Sequence, residues 1–420
     1  MQMKKTLWLG PCVVAACLLL SAFFVEKKNA STPPLVDEVF ETAGKQFTDM
    51  LKMSNNLAQY PRTTDANGHT KYVPISDWTG GFWPGSLWYM FEQTKDTVWK
   101  NQAIKWTESL EENQFNTNHH DLGFMMYCSY GNAYRITKNE QYKKILIQSA
   151  KSLASRFNPK IGCIESWNSR LSWDGKTMWH FPVIIDNMMN LELLFFASKV
   201  TGDPMYKNIA IRHAETTMKN HFRPDYSSYH VVNYDTLTGK ALNRQTCQGY
   251  ADNSTWARGQ AWAIYGYTMT YRETHDKKFL QMAKKLADFY IQNPNLPKDK
   301  VPYWDFNVNQ KGYTPDWNYD PKKLNYIPRD ASAAAIVTSA LFELNGYLGK
   351  EGKPYQDFAI ACLKTLGSDA YMAEPSTNGH FLLKHSTGSF PHGQEIDVPL
   401  VYADYYFLEA LIRYQKQNKK

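Results

Sequence analysis

The feature that most restricts the fold of this chain is a polar turn that recurs between pairs of helical segments. It reads TKDTVW from Thr94 to Trp99, TKNEQY from Thr137 to Tyr142, TGDPMY from Thr201 to Tyr206 and THDKKF from Thr274 to Phe279, with KEGKPY from Lys350 to Tyr355 as a looser copy. In each, short polar residues stop one helix and cap the next, and the aromatic residue five positions after the Thr is placed to pack inward.

The segments on either side of these turns differ in kind. Residues 122–136, 184–200, 257–271, 331–348 and 401–412 are apolar or small on most faces, whereas their successors are amphipathic and Lys-rich. A helix that is apolar all round belongs inside a protein and an amphipathic one at its surface. The pattern predicts twelve helices, near 35–58, 82–94, 97–114, 121–137, 140–156, 184–200, 203–220, 255–273, 276–292, 330–347, 354–371 and 398–415, with few and short strands. Alternating inner and outer helices point to an all-α (α/α)6 barrel. An open α-solenoid shares the pairwise logic, but six pairs with buried-type inner helices favour closure.

Residues 31–420 are expected to form a single (α/α)6 catalytic domain. Residues 1–30 read as an export or lipoprotein signal, with Lys4 and Lys5 ahead of an uncharged apolar run from Leu7 to Val25. The VAAC stretch ending at Cys17 resembles a lipoprotein box that would attach a lipid there, and a retained signal anchor is the competing reading. The expected location is outside the cytoplasm, in a bacterial periplasm. Beyond this segment only Cys128, Cys163, Cys247 and Cys362 remain, without metal-ligand spacing, as expected of free or buried thiols. The formal charge of +7 is weighted towards the termini and forms no basic cluster, which argues against nucleic acid and is compatible with an anionic saccharide. Thirteen Trp and twenty-seven Tyr supply core packing, sugar-stacking platforms, or both.

In a closed toroid the long connections, here 60–81, 157–183, 222–254, 293–329 and 371–399, lie at one end, and they are rich in Trp, Tyr, His and Asp. Chemistry is expected there. Asp186 sits between two long apolar runs. It reads either as a helix-capping residue or as a buried carboxyl that keeps its proton near neutrality and can act as a general acid. Asp121 opens another inner helix, with polar neighbours that would keep it charged. Two carboxylates in different surroundings are the usual equipment for glycoside chemistry. Trp83 is expected at the mouth, after Gly80 and Gly81. Arg258 among Trp256 and Trp262 reads as a carboxylate binder between aromatic walls or as a buried structural Arg. His230 and Gln248, with Tyr229 and Tyr250, lie in the loop before that helix as possible ligand donors. His119, His120 and Asp121 are adjacent and do not converge on one ion, so no metal is expected, and nothing in the sequence calls for a cofactor.

Taken together, the segments His120 to Phe124 (HDLGF), Ile185 to Leu191 (IDNMMNL), Gly81 to Trp83, and Trp256 to Trp262 (WARGQAW) resemble the unsaturated glucuronyl hydrolases, glycoside hydrolase family 88, over nearly the whole chain after the signal. The resemblance implies an (α/α)6 barrel that removes the 4,5-unsaturated uronic acid from the non-reducing end of lyase-generated glycosaminoglycan oligosaccharides. It also implies that Asp186 protonates C4 of the vinyl ether and assists addition of water at C5, with Asp121 holding ring hydroxyls and stabilising positive charge. Trp83, Trp256 and Trp262 would form stacking walls, Arg258 would lie near the uronate carboxylate, and His120, His230 and Gln248 would orient sugar or water. The loop His385–Pro399 departs from the family pattern, with Phe390 where a Tyr is expected near the catalytic carboxylate. The alternatives are an unsaturated rhamnogalacturonyl hydrolase acting on pectin fragments, and a non-catalytic exported sugar-binding protein.

Overall fold

A computed structural model describes residues 34–315 and 324–418; the expected signal segment and Cys17 lie outside them. The recurring turns form as small hydrogen-bonded units. Thr94, Thr137, Thr201 and Thr274 each donate the side-chain hydroxyl to the carbonyl four residues earlier, at 2.7 Å. The same hydroxyls accept the backbone N–H of Asp96, Asn139, Asp203 and Asp276. Those four residues in turn cap the next helix, accepting from the N–H two positions on. The intervening Lys95, Lys138, Gly202 and His275 take the left-handed conformation that ends a helix. Trp99, Tyr142, Tyr206, Phe279 and Tyr355 are all buried.

Among the described residues twelve α-helices follow in sequence: α1 Pro34–Met53, α2 Phe82–Thr94, α3 Thr97–Glu108, α4 Asn132–Thr137, α5 Glu140–Ala154, α6 Leu191–Thr201, α7 Pro204–Asn220, α8 Ala257–Thr274, α9 Lys277–Gln292, α10 Ala331–Leu348, α11 Lys353–Leu366 and α12 Val401–Asn418. The inner ring runs α2, α4, α6, α8, α10, α12, and α12 packs back on α2, so the toroid closes. Helices α3, α5, α7, α9 and α11 back their partners from outside, and α1 covers the seam by packing on both α12 and α2. The chain is an (α/α)6 barrel.

Two inner helices begin irregularly. Gly123–Gly131, ahead of α4, is wound as a wide π-helix, and Ile185–Asn190, ahead of α6, as a tight 3-10 helix. Sequence periodicity predicts ordinary helix for both. The reason for the difference is crowding where successive inner helices start. A Cβ on Gly81 would lie 2.2 Å from the carbonyl oxygen of Phe124, and one on Gly123 would lie 2.4 Å from the Cα of Asn190. Glycine lets three helix starts touch at the barrel axis. The predicted helix at 97–114 also breaks, ending at Glu108 before a 3-10 turn at Glu111–Phe115. Short two- and three-stranded antiparallel sheets occupy the long connections at the end where the inner helices begin.

Candidate active site

Asp186 lies in the first turn of the 3-10 helix and does not cap it; Ile184 holds the cap position and makes no side-chain bond. The three strand residues before it, Pro182–Ile184, pair with 231–233, which brings His230 alongside. His230 Nδ1 accepts the backbone N–H groups of Cys247 (3.1 Å) and Gln248 (3.2 Å), so its hydrogen resides on Nε2. That Nε2 lies 3.7 Å from Asp186 Oδ2, and both atoms are buried without a hydrogen-bond partner in the protein. Two neighbouring buried polar atoms that the protein leaves unpaired are placed to share one group of a substrate or water. Burial raises the Asp186 carboxyl to about 7, reinforced by the charge of Asp121 and opposed by Arg258 and by the Trp262 indole. Burial also drives His230 far below the ordinary imidazole range, helped by Arg258, so it is neutral.

Asp121 behaves in the opposite way. Burial pushes its carboxyl upward, but His120, His119 and Arg156 outweigh that and hold it below the usual carboxylate range. Its two oxygens lie 3.2 Å from His120 Nε2 and 3.2 Å from His119 Nδ1. His120 is buried, which brings it down to about 4. Its Nδ1 faces the Asn190 amide at 3.5 Å, while Asn190 Oδ1 accepts the N–H of Phe124 at 3.0 Å. Asn190 therefore ties the Asp121 segment to the Asp186 segment across the Gly123 contact. Arg156 fixes the same region from below through the carbonyls of Thr117 (2.5 Å) and Glu165 (2.8 Å). Neither Asn190 nor Arg156 is singled out by the sequence, although Asn190 stands four residues after Asp186 in an otherwise apolar segment.

The aromatic residues are arranged differently from expectation. Trp83 is not at the mouth. It is 2% exposed and packs outward on Phe47 and Trp106. Its neighbour Phe82 takes the axial direction, against Phe124 and Tyr402, and one residue along a helix is a rotation of about 100°. Half-buried Trp78 instead packs on Phe82, Phe124 and Tyr402 at this end. Trp262 is fully buried between Phe124 and Tyr406 and supports Asp186 from below. Trp256 stands against His230, ring centroids 4.5 Å apart, with the Arg258 guanidinium 4.5 Å from its ring.

Arg258 is buried, and its donors go to Asp330 Oδ2 (2.7 Å) and to the carbonyls of Thr387 (2.6 Å) and Gly388 (2.5 Å). It clamps the 386–398 hairpin to the barrel and acts on Asp186 through its field. Gln248 reaches the same hairpin, donating to the carbonyl of Gly388 at 3.0 Å. Phe390 stacks on Trp304, centroids 4.7 Å apart and 8° from parallel. Tyr229 is covered by Arg223 at 3.8 Å and Tyr250 packs on Trp304.

The sequence profile of Glycosyl Hydrolase Family 88 matches residues 52–415. The chain belongs to glycosyl hydrolase family 88. It is 47% identical over 417 residues to an unsaturated glucuronyl hydrolase of Formosa agariphila, covering 97% of this chain and 98% of that one. An unsaturated chondroitin disaccharide hydrolase of Streptococcus agalactiae is 33% identical, with 91% of this chain and 92% of that one covered. Among solved structures, an unsaturated glucuronyl hydrolase specific for heparin superposes with a TM-score of 0.84 at 46% identity, covering 92% of this chain and 98% of that chain.

Proposed function

We propose that this family 88 glycoside hydrolase removes 4,5-unsaturated uronic acid from the non-reducing end of glycosaminoglycan fragments by hydrating the C4=C5 vinyl ether. The observation that carries the reading is the pairing of a buried carboxyl at about 7, Asp186, with an ionised one, Asp121, at the open end of the barrel. A vinyl ether needs a proton donor at carbon, and a carboxylic acid still protonated near neutrality supplies one. Asp186 gives its proton to C4, and positive charge develops on C5 and the ring oxygen, where the Asp121 carboxylate stabilises it. Water adds at C5, guided by the free Nε2–H of His230, and the Asp186 carboxylate takes the water's proton. The resulting hemiketal opens to a ketone, and the hemiacetal left at C1 collapses to an aldehyde and releases the remaining sugar as an alcohol. Each turnover consumes one water and returns Asp186 to its acid form.

The similarity to a heparin-specific enzyme at 46% identity favours a glycosaminoglycan over a pectic source. Loss of the ultraviolet absorbance of the C4=C5 bond tests the reading, using lyase products of heparin, chondroitin and rhamnogalacturonan. Turnover of the pectic product alone would overturn it. We further propose that the enzyme is exported, on the strength of Lys4, Lys5 and the apolar run to Val25. Fractionation of expressing cells would contradict this if the full-length product stayed in the cytoplasm.

A further inference from the structure

The hairpin 167–179 beside the carboxylates carries a cation that the hydrolytic chemistry does not use. Trp167 and Trp179 stack with ring centroids 6.1 Å apart at 23°. Trp179 is fully buried and donates its indole N–H to Gln245 Oε1 at 2.8 Å. On this base lies Arg170, its guanidinium carbon 5.6 Å from the centre of the Trp167 ring. The backbone of Trp167 bridges to His119, whose ring is 3.2 Å from Asp121. The base of Arg170 is thus fixed to the catalytic rim.

Arg170 is exposed, and among the described residues no carboxylate pairs with it. The acids around it are engaged elsewhere. Glu165 pairs with Arg156 at 3.3 Å, Asp174 accepts from the Ser172 hydroxyl at 2.5 Å and lies 3.8 Å from Lys176, and Asp252 accepts the N–H of Thr246. Across from the arginine, the 386–398 hairpin sets His392 against Trp173 with centroids 3.4 Å apart. The Arg170 charge is felt at His392 and at buried Cys247, and Cys247 also feels Asp186. With Trp167 bridged to His119, the guanidinium stands at the exposed rim outside the two carboxylates.

We propose that Arg170 binds an oxyanion, sulfate or carboxylate, on the part of the substrate that is released. A guanidinium already held on an indole face loses little freedom on binding, and its fork matches either anion with two parallel hydrogen bonds. The inference rests on the hydrolase reading above and assigns the enzyme to substrates whose leaving part also carries an anion.

The test compares wild type, Arg170→Gln and Arg170→Lys on three unsaturated substrates: a disaccharide sulfated on the leaving sugar, its unsulfated counterpart, and an unsulfated tetrasaccharide bearing a second uronate. In Arg170→Gln the ratio of kcat/KM for a substrate with an anionic leaving part over the unsulfated disaccharide falls about tenfold, the size of one charge-assisted hydrogen-bonded pair, and the change appears in KM. Arg170→Lys keeps part of the preference. A fall for the sulfated disaccharide alone identifies sulfate as the ligand, and a fall for the tetrasaccharide alone identifies the carboxylate. An unchanged ratio in Arg170→Gln, or an equal loss on all three substrates, overturns the proposal while leaving the hydrolase reading intact. Absence of wild-type turnover on all three overturns the hydrolase reading itself.

Discussion

The two ends of the barrel each bury a carboxyl raised to about 7, Asp186 at the loop end and Glu192 at the short-turn end, and the two are built for opposite purposes. Glu192 lines a cavity of about 740 Å³. It contacts Arg272, which also reaches Glu343 at 3.0 Å, and Glu343 in turn meets Arg413 at 2.9 Å. Glu409 accepts from Tyr89, Tyr265 and Ser339. These cations stand near the C-terminal ends of inner helices, where the helix dipole favours positive charge. Burial lifts Glu192, with three further glutamates adding to it and Arg272 opposing. Its acidity is a by-product of a closed ionic network. Asp186 stands 3.7 Å from the Nε2–H of His230, and the protein pairs neither atom, at the end where the long loops lie. A shifted carboxyl marks chemistry only when an unsatisfied partner shares its space.

The sharpest way to break this comparison is to neutralise each acid in turn. Asp186→Asn lowers kcat by about 1000-fold with substrate still bound, whereas Glu192→Gln leaves kcat near wild type. Equal losses in steady-state kinetics would erase the distinction. Next in size, Gly123→Ala pushes a methyl into Asn190 and separates the two catalytic segments. It costs about 3 kcal/mol by denaturant unfolding, together with a large fall in kcat.

The pH dependence follows from the Asp186 shift. A general acid must carry its proton, so kcat falls as pH rises through about 7. Stability has the same sign, because the folded protein holds this proton more tightly than the unfolded chain does. The protein therefore loses stability as pH rises from the ordinary carboxylate range to about 7. Asp186→Asn escapes that loss, and its Tm exceeds that of wild type at pH 8 by an amount that shrinks to nothing near pH 4. A Tm difference independent of pH would show that Asp186 is not held protonated. The smallest effect belongs to the turns at the far end. Asp203→Ala removes one helix cap at a cost of about 1 kcal/mol, measured by denaturant unfolding, with kcat unaffected.

What could be read from the chain alone divides along physical lines. The Thr-to-aromatic turns are legible because their bonds all fall within a few residues, and with the looser copy at Lys350 they mark five of the six helix pairs; the sixth, α12 with α1, joins the two ends of the described chain. Asp186 stood out because a carboxylate in an apolar run has few explanations. The face that Trp83 presents was not legible, because helix phase relative to the axis is set by ring closure and a single position separates Phe82 inside from Trp83 outside. In the sequence Arg258 reads as a carboxylate binder or as a structural residue. Its partners Asp330, Thr387 and Gly388 come from distant segments that only the closed barrel brings together. The π and 3-10 windings at 123–131 and 185–190 likewise arise from backbone crowding between helices, which leaves no periodic trace.

The seam between α12 and α2, covered by α1, has a consequence for biosynthesis. Of the twelve described helices α12 is made after all the others, and it is the one that α1 and α2 require as a neighbour. Hundreds of residues must therefore wait with apolar faces bare, and ring closure is a contact of very high sequence separation, slow and open to misassociation. Loss of α12 would uncover both α10 and α2 at once. The barrel cannot close until α12 is made.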